Sequence, residues 1–239
     1  MTSKSENPDK GKLYLSPSFA IMASGTGTNA LALIDHGIEI GRPPACLIVN
    51  REDSPLLKTG PERSIPTFYV PAKKTGIDEE FEKKVIEICK RYSVSTLFLA
   101  GFMKILGPNF LEYFKVDEHQ GLFRVINIHP SLLPKYPGLG GYEKAYNEGD
   151  REFGHTLHLV NTGVDEGPIL YQKIMKREDG DTLEDMMNRG KKEENLSYQK
   201  LLQYLTKEPL EYVIEDHSLF VKRVDLDQMT LINYGELYE

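Results

Sequence analysis

An α/β fold with a mostly parallel central sheet flanked by helices is predicted by three observations. Short apolar runs recur at residues 19–23, 45–49, 67–70, 96–100 and 125–128, with helix-like segments between them. That is the strand–helix–strand rhythm of a parallel sheet covered on both faces. Residues 78–92 place Phe81, Val85, Ile88, Cys89 and Tyr92 on one face and Glu80, Glu82, Lys83, Glu87 and Lys90 elsewhere, as an amphipathic helix lying on a sheet requires. A glycine-rich turn, Ser24-Gly25-Thr26-Gly27-Thr28-Asn29-Ala30, leads from the first run into the first helix.

Taken in order, the chain begins with a polar, charged, proline-containing stretch that predicts a disordered tail over residues 1–18. A single domain is expected over residues 19–239. After His129 a loop rich in glycine and proline runs to Gly141. A short helix is expected over 142–148, strands over 155–160 and 169–175, a helix over 182–205, and a last strand over 218–224. The mixed charges of 176–195 read as a solvated helix face. No internal repeat is present.

With 239 residues, 40% of them hydrophobic, the chain has material for one sizeable core. The net charge of −7 arises from acids dispersed among lysines, so nucleic acid and membrane surfaces are not expected partners. Cys46 and Cys89 form no Cys-x-x-Cys pair, and they read as buried thiols of a cytoplasmic protein rather than a disulfide or zinc site. No apolar run approaches the roughly 20 residues that span a bilayer.

The glycine-rich turn points its backbone N–H groups along the positive end of a helix dipole, where a phosphate binds. Its Gly-x-Gly-x-x-Ala spacing also satisfies the dinucleotide fingerprint, with Glu52 and Asp53 placed as ribose-binding acids. A monophosphate fits equally, and a plain tight turn is the bland alternative. Nothing else in the chain suggests hydride transfer.

The run Asn127-Ile128-His129-Pro130-Ser131-Leu132-Leu133-Pro134-Lys135-Tyr136-Pro137-Gly138-Leu139 carries the chemistry. Val125, Asn127 and His129 share one side of an extended chain, and Pro130 ends the ladder. An amide able to donate to an oxyanion thus stands beside an imidazole able to move protons, as attack on a carbonyl-like carbon demands. Asp165, in the turn Val164-Asp165-Glu166-Gly167-Pro168, supplies a carboxylate if the turn folds back on the sheet. His158 reads equally as a satisfied core histidine or as a partner of these groups.

These segments, with Ala100-Gly101-Phe102-Met103-Lys104-Ile105-Leu106 and the 25–29 turn, resemble the motifs of the folate-dependent formyltransferases. Lys-Tyr-Pro-Gly-Leu narrows the likeness to the phosphoribosylglycinamide branch of purine synthesis. The likeness spans about residues 19–176, with a poor match beyond 177. It implies a formyltransferase-type, Rossmann-like domain that moves a formyl group from 10-formyltetrahydrofolate to glycinamide ribonucleotide without a metal. By the same resemblance Asn127 hydrogen-bonds the formyl oxygen, His129 is general acid/base, and Asp165 pairs with His129, raises its pKa and orders a water. Gly27, Thr28 and Asn29 would hold the substrate phosphate. Met103, Lys104, Ile105, Leu106 and Asn161 to Asp165 would line the folate pocket, and Glu194 aligns with an acid that contacts the glycinamide substrate.

The chain departs from the family pattern at three places. Gly140-Gly141-Tyr142-Glu143-Lys144 replaces a loop that carries histidines, Lys104 stands where an arginine is common, and an arginine expected near residues 73–79 has no counterpart. Rival readings are therefore a formyltransferase for another amine, such as an amino sugar nucleotide, a formyl-folate hydrolase, or a nucleotide-binding module without turnover. The polar residues before Phe19 do not suffice for the N-terminal regulatory domain usual in the hydrolases. A methionyl-tRNA formylating enzyme would need a basic tRNA-binding surface. The oligomeric state is not legible in the sequence.

Overall fold

In a computed structural model describing residues 9–13, 18–116, 121–215 and 218–231, the chain begins with strand β1 (Asp9–Leu13) and then alternates. The succession is β2 (Phe19–Ala23), α1 (Thr28–Glu39), β3 (Cys46–Val49), α2 (Leu56–Glu62), β4 (Thr67–Tyr69), α3 (Glu79–Arg91), β5 (Thr96–Ala100), α4 (Pro108–Tyr113) and β6 (Val125–His129). Helix α5 (Gly141–Asn147), strands β7 (Glu152–Leu159) and β8 (Ile169–Lys176) and helix α6 (Leu183–Leu205) follow. The last elements are β9 (Leu210–Glu215), β10 (Ser218–Val221), β11 (Val224–Asp225) and β12 (Thr230–Leu231).

The central sheet has seven strands in the order β4-β3-β2-β5-β6-β7-β8. The five from β4 to β6 pair in parallel, while β7 is antiparallel to both β6 and β8. From β2 the chain moves outward to β3 and β4, then returns to lay β5 on the other side of β2. The loops leaving β2 and β5 therefore diverge and open a crevice at the carboxyl ends of the strands.

Alternation along β2 divides the core into two layers. Phe19, Ile21 and Ala23 join Leu33 and Ile34 of α1 and Tyr198 and Leu201 of α6 in one layer. Ala20 and Met22 join Phe81, Val85 and Cys89 of α3 and Phe110 and Leu111 of α4 in the other. Each face of the sheet is thus covered by helices, which is why its strands read as unbroken apolar runs. Tyr198, wholly buried, satisfies its hydroxyl by donating to the Leu99 carbonyl at 2.6 Å.

Helix α3 is capped by Asp78, whose carboxylate accepts from the Phe81 N–H at 3.3 Å, a contact worth about 1 kcal/mol. Its Phe81, Val85 and Cys89 are buried as the pattern predicts, but so is Glu82, expected on the polar side. Glu82 accepts from the N–H of Gly107, the residue before α4, at 2.6 Å. Burial pushes its carboxyl upward, against that hydrogen bond. Helix α6 opens with a reciprocal cap between Thr182 and Asp185.

Three expectations are corrected. Part of the predicted tail is a strand, because β1 pairs antiparallel with β9 in a small sheet of order β1-β9-β10; residues 1–8 and 14–17 lie outside the described residues. The last strand, expected over 218–224, is split between β10 and β11, which belong to different sheets. The charged run 176–195 is not a uniformly solvated face, since Met186, Gly190 and Glu194 are buried. No helix among the described residues is long and apolar enough to cross a membrane.

His155 lies fully buried on β7 with Nε2 2.8 Å from the Ser197 hydroxyl of α6, while its Nδ1 has no partner among the described residues. Burial, helped by the charge on Lys173, pushes this imidazole down to about 3. The fold therefore holds it neutral, and its contribution is complete above the ordinary value of 6.5 and lost as pH falls from there toward 3. In wild type this one group should steepen acid destabilisation by up to about 1.4 kcal/mol per pH unit. Denaturant unfolding of His155→Leu across that window should show a flatter pH dependence than wild type, and an unchanged slope would refute the assignment.

Candidate active site

Asn127 and His129 lie two residues apart on β6, and the antiparallel register sets Asn127 opposite His158 and His129 opposite Thr156 of β7. Residues directly opposite share a face of the sheet. The Asn127 amide nitrogen is accordingly 3.2 Å from His158 Nε2, and His158 Nδ1 donates to the Leu159 carbonyl at 2.9 Å. His158 Nε2 thus lies against one N–H of the Asn127 amide. The second N–H of the amide remains for another acceptor. His158 is thus both a buried core histidine and a partner of the polar group.

The turn after β7 returns Asp165 to the same place. Its backbone is left-handed, φ 56°, and its carboxylate is 12% exposed. One oxygen lies 3.2 Å from His129 Nδ1 and accepts from the Gly138 N–H at 2.8 Å; the other lies 3.5 Å from His158 Nε2. Asn127, His129 and Asp165 are therefore brought together, with His158 between the amide and the carboxylate.

His129 is only 4% exposed, and its Nε2 donates to the Tyr136 carbonyl at 2.8 Å. A carbonyl only accepts, so Nε2 carries the proton and Nδ1 is the nitrogen able to gain or lose one. The loop supplying that carbonyl is pinned by Thr156, whose hydroxyl donates to the Ser131 carbonyl at 2.7 Å and accepts from the Leu133 N–H at 3.1 Å.

Burial pulls the His129 imidazole below its ordinary value, although the Asp165 carboxylate and the Tyr136 carbonyl pull the other way. Asp165 acts in the expected direction, raising this pKa, but desolvation outweighs it, so the imidazole is not kept near neutrality or above. For Asp165, burial pushes upward, yet the contacts with His158, the Gly138 N–H and His129 hold the carboxyl below the usual carboxylate range.

At the other end of the crevice Gly27 takes a left-handed turn, φ 83°, directly before α1, whose first residues are Thr28 and Asn29. No side chain caps this helix, so its first-turn N–H groups stay available to an anion. The Asn29 side chain turns aside and donates to a Glu194 oxygen at 2.9 Å, and its own Oδ1 is buried without a partner among the described residues. Glu194, 6% exposed on α6, also accepts from the Tyr142 hydroxyl at 2.7 Å.

Between these ends runs a cleft of about 560 Å³, bordered by Gly25, Thr26, Arg51, Pro130, Tyr142 and Glu194. It begins one residue after His129. Asp53, the candidate ribose acid, is exposed at its rim and paired with Arg51 at 2.6 Å. Met103 borders the cleft and is 65% exposed, and Ile105, two residues on, is 54% exposed. Lys104 donates to the Lys74 carbonyl at 2.7 Å, whereas Leu106 turns into the core layer beneath. Asn161 accepts from the Gly163 N–H at 3.0 Å and shapes the turn that carries Asp165.

Sequence reasoning missed Tyr142, Lys191 and the Tyr136 carbonyl. Lys191 also borders the cleft, one helical turn before Glu194 on α6, a spacing that places both on one side of the helix. Tyr142 was marked only by the irregular Gly140-Gly141-Tyr142 loop. A backbone carbonyl leaves no trace in side-chain patterns.

Residues 18–202 match the family model described as formyl transferase. The chain is 34% identical over 189 residues to the phosphoribosylglycinamide formyltransferase of Haemophilus influenzae, covering 78% of this chain and 86% of that protein. To the protein of the same name from Bacillus subtilis it is 31% identical, covering 78% and 93%. A solved glycinamide ribonucleotide transformylase 1 from Symbiobacterium toebii superposes with a TM-score of 0.73 at 30% identity, covering 85% of this chain and 93% of that one. A formyltetrahydrofolate deformylase from Pseudomonas syringae gives 0.71 at 27% identity, but only 65% of its chain is covered.

Proposed function

Because the chain belongs to the formyl transferase family, in its phosphoribosylglycinamide formyltransferase branch, we propose that it moves a formyl group from 10-formyltetrahydrofolate to the amine of glycinamide ribonucleotide in purine synthesis. The observation that carries this reading is the 3.2 Å contact between His129 Nδ1 and Asp165, beside Asn127 and one residue from Pro130, which borders a cleft also lined by Gly25 and Thr26 of the turn before uncapped α1.

The chemistry follows from which atoms remain free. The attacking amine must lose a proton as its nitrogen bonds to the formyl carbon. His129, held below its ordinary pKa by burial, is neutral at pH 7 and takes that proton at Nδ1, since Nε2 is committed to Tyr136. Asp165 then faces an imidazolium and stabilises it. The free N–H of Asn127 serves the formyl oxygen as it becomes anionic, a donor worth about 3 kcal/mol in the transition state. When the bond to the folate nitrogen breaks, the proton passes back along the His129–Asp165 edge to the departing nitrogen. The first-turn amides of Gly27, Thr28 and Asn29 hold the phosphate, and the exposed Met103 and Ile105 offer apolar surface to the folate.

The structural likeness to a deformylase keeps hydrolysis as the second reading. Mixing the protein with a 10-formyl folate analogue and glycinamide ribonucleotide, while following absorbance, should show turnover that depends on both. The mass of the product separates the two readings: formylated nucleotide supports transfer, and free formate with unmodified nucleotide supports hydrolysis. Binding without turnover would overturn both.

A further inference from the structure

The geometry points to Tyr142 as a positioning residue that sets the Glu194 carboxylate against the acceptor substrate. This inference rests on the transfer reading above and assigns a determinant of acceptor affinity to the loop where this chain departs from the family pattern.

The Glu194 carboxylate is held from two sides. Asn29 donates to one oxygen at 2.9 Å and Tyr142 to the other at 2.7 Å, which fixes both the position and the rotation of the group. Each oxygen keeps a further acceptor direction. Tyr142 and Glu194 both border the cleft, so the remaining capacity serves donor groups, hydroxyl or ammonium, of a ligand whose phosphate sits on the first turn of α1. Asn29 ties that same turn to Glu194, so phosphate site and carboxylate form one connected frame.

Tyr142 reaches Glu194 because the surrounding positions lack a Cβ. A Cβ on Gly141 would lie 2.3 Å from the Pro130 carbonyl oxygen, so only glycine lets the first turn of α5 pack so close to the catalytic loop. A Cβ on Gly190 of α6 would lie 2.4 Å from the Tyr142 ring. The ring is seated edge-on against Phe153, with centroids 6.0 Å apart. Packing alone would be met by phenylalanine. The buried hydroxyl aimed at a buried carboxylate is what packing does not account for.

The groups facing Glu194 are Asn29 of α1, Tyr142 of α5, and Lys191 and Tyr198 of α6. Burial already pushes the Glu194 carboxyl upward, and the Tyr142 and Asn29 donors oppose it. Removing the Tyr142 hydroxyl must therefore raise it further.

The test is steady-state kinetics of Tyr142→Phe with glycinamide ribonucleotide and a 10-formyl folate analogue. The KM for the nucleotide should rise about tenfold, the loss expected for one hydrogen bond to a charged group, while the folate KM and kcat stay within about twofold. The rise of the nucleotide KM on acidification, which reports protonation of Glu194 rather than of His129, should move to higher pH. Gly190→Ala, which displaces the ring, should reproduce the split. An unchanged nucleotide KM, with its rise on acidification unmoved, in a folded, active Tyr142→Phe protein would overturn this proposal alone. Equal rises in both KM values would do the same, because a merely structural role predicts them. No transfer by the wild type would overturn it together with the reading it rests on.

Discussion

Replacing His129 by alanine is expected to lower kcat by about a thousandfold, the scale of a lost general acid/base, while a folate analogue still binds in equilibrium measurements. Asp165→Asn should also remove most turnover, because the imidazolium formed in the reaction loses its carboxylate at 3.2 Å. The pH profile tells the two roles apart. In the proposed mechanism His129 is a base once deprotonated, so in wild type kcat/KM should climb with pH through a value below 6.5, the direction set by its burial. In Asp165→Asn the residual rate should climb at still lower pH, since the charge that pulled the imidazole upward is gone. Normal rates in either variant, or an acid limb unmoved by the asparagine, would remove the assigned roles.

Gly167→Ala should have the second largest effect, although residue 167 touches none of the reacting groups. A Cβ there would lie 1.8 Å from the Leu159 carbonyl oxygen and 2.8 Å from its carbon. These are backbone atoms at the end of β7, and no rotamer can move them aside. The turn must shift as a whole, taking Asp165 away from His129. Overpacking of this kind costs about 1–3 kcal/mol of stability. The loss of kcat should be larger in proportion, because a displacement near 1 Å costs on the order of a hundredfold. Gly163, in the same turn, is the internal comparison. The nearest atoms to a Cβ there belong to the exposed Glu166 side chain, whose carboxylate, at 2.3 Å, can swing away and leave the Glu166 Cβ at 3.0 Å. Thermal unfolding and kcat of the two variants should therefore diverge, and a Gly167→Ala protein with wild-type kcat would show that the turn does not hold Asp165 in place.

The elements that the sequence made legible are those whose evidence is local. Apolar runs marked every strand of the sheet from β2 to β6, and the face of α3 bearing Phe81, Val85 and Cys89 followed from helical spacing. The adjacency of Asn127 and His129 is likewise local, because alternate residues of one strand share a side. Strand β1 escaped the reading because nothing in residues 9–13 marks a strand, and it forms only where β9 offers an edge. The burial of Glu82 and of Glu194 escaped for a related reason. A carboxylate read from sequence is solvated, and only the meeting of α3 with the start of α4, or of α6 with α1 and α5, buries these two and supplies their donors.

By itself, then, the sequence determined the α/β class, the order of strands β2 to β6 along the chain, and the amide and imidazole at the end of β6. Each of these depends on neighbours a few residues apart, through side-chain alternation and helical periodicity. Tertiary structure alone decided that Asp165 meets His129, that His158 stands between Asn127 and that carboxylate, and that burial outweighs Asp165 in setting the imidazole. The physical reason is that convergence comes from the antiparallel register of β6 and β7 and from a turn with no room for a Cβ at residue 167, while desolvation sums over every atom packed around the ring.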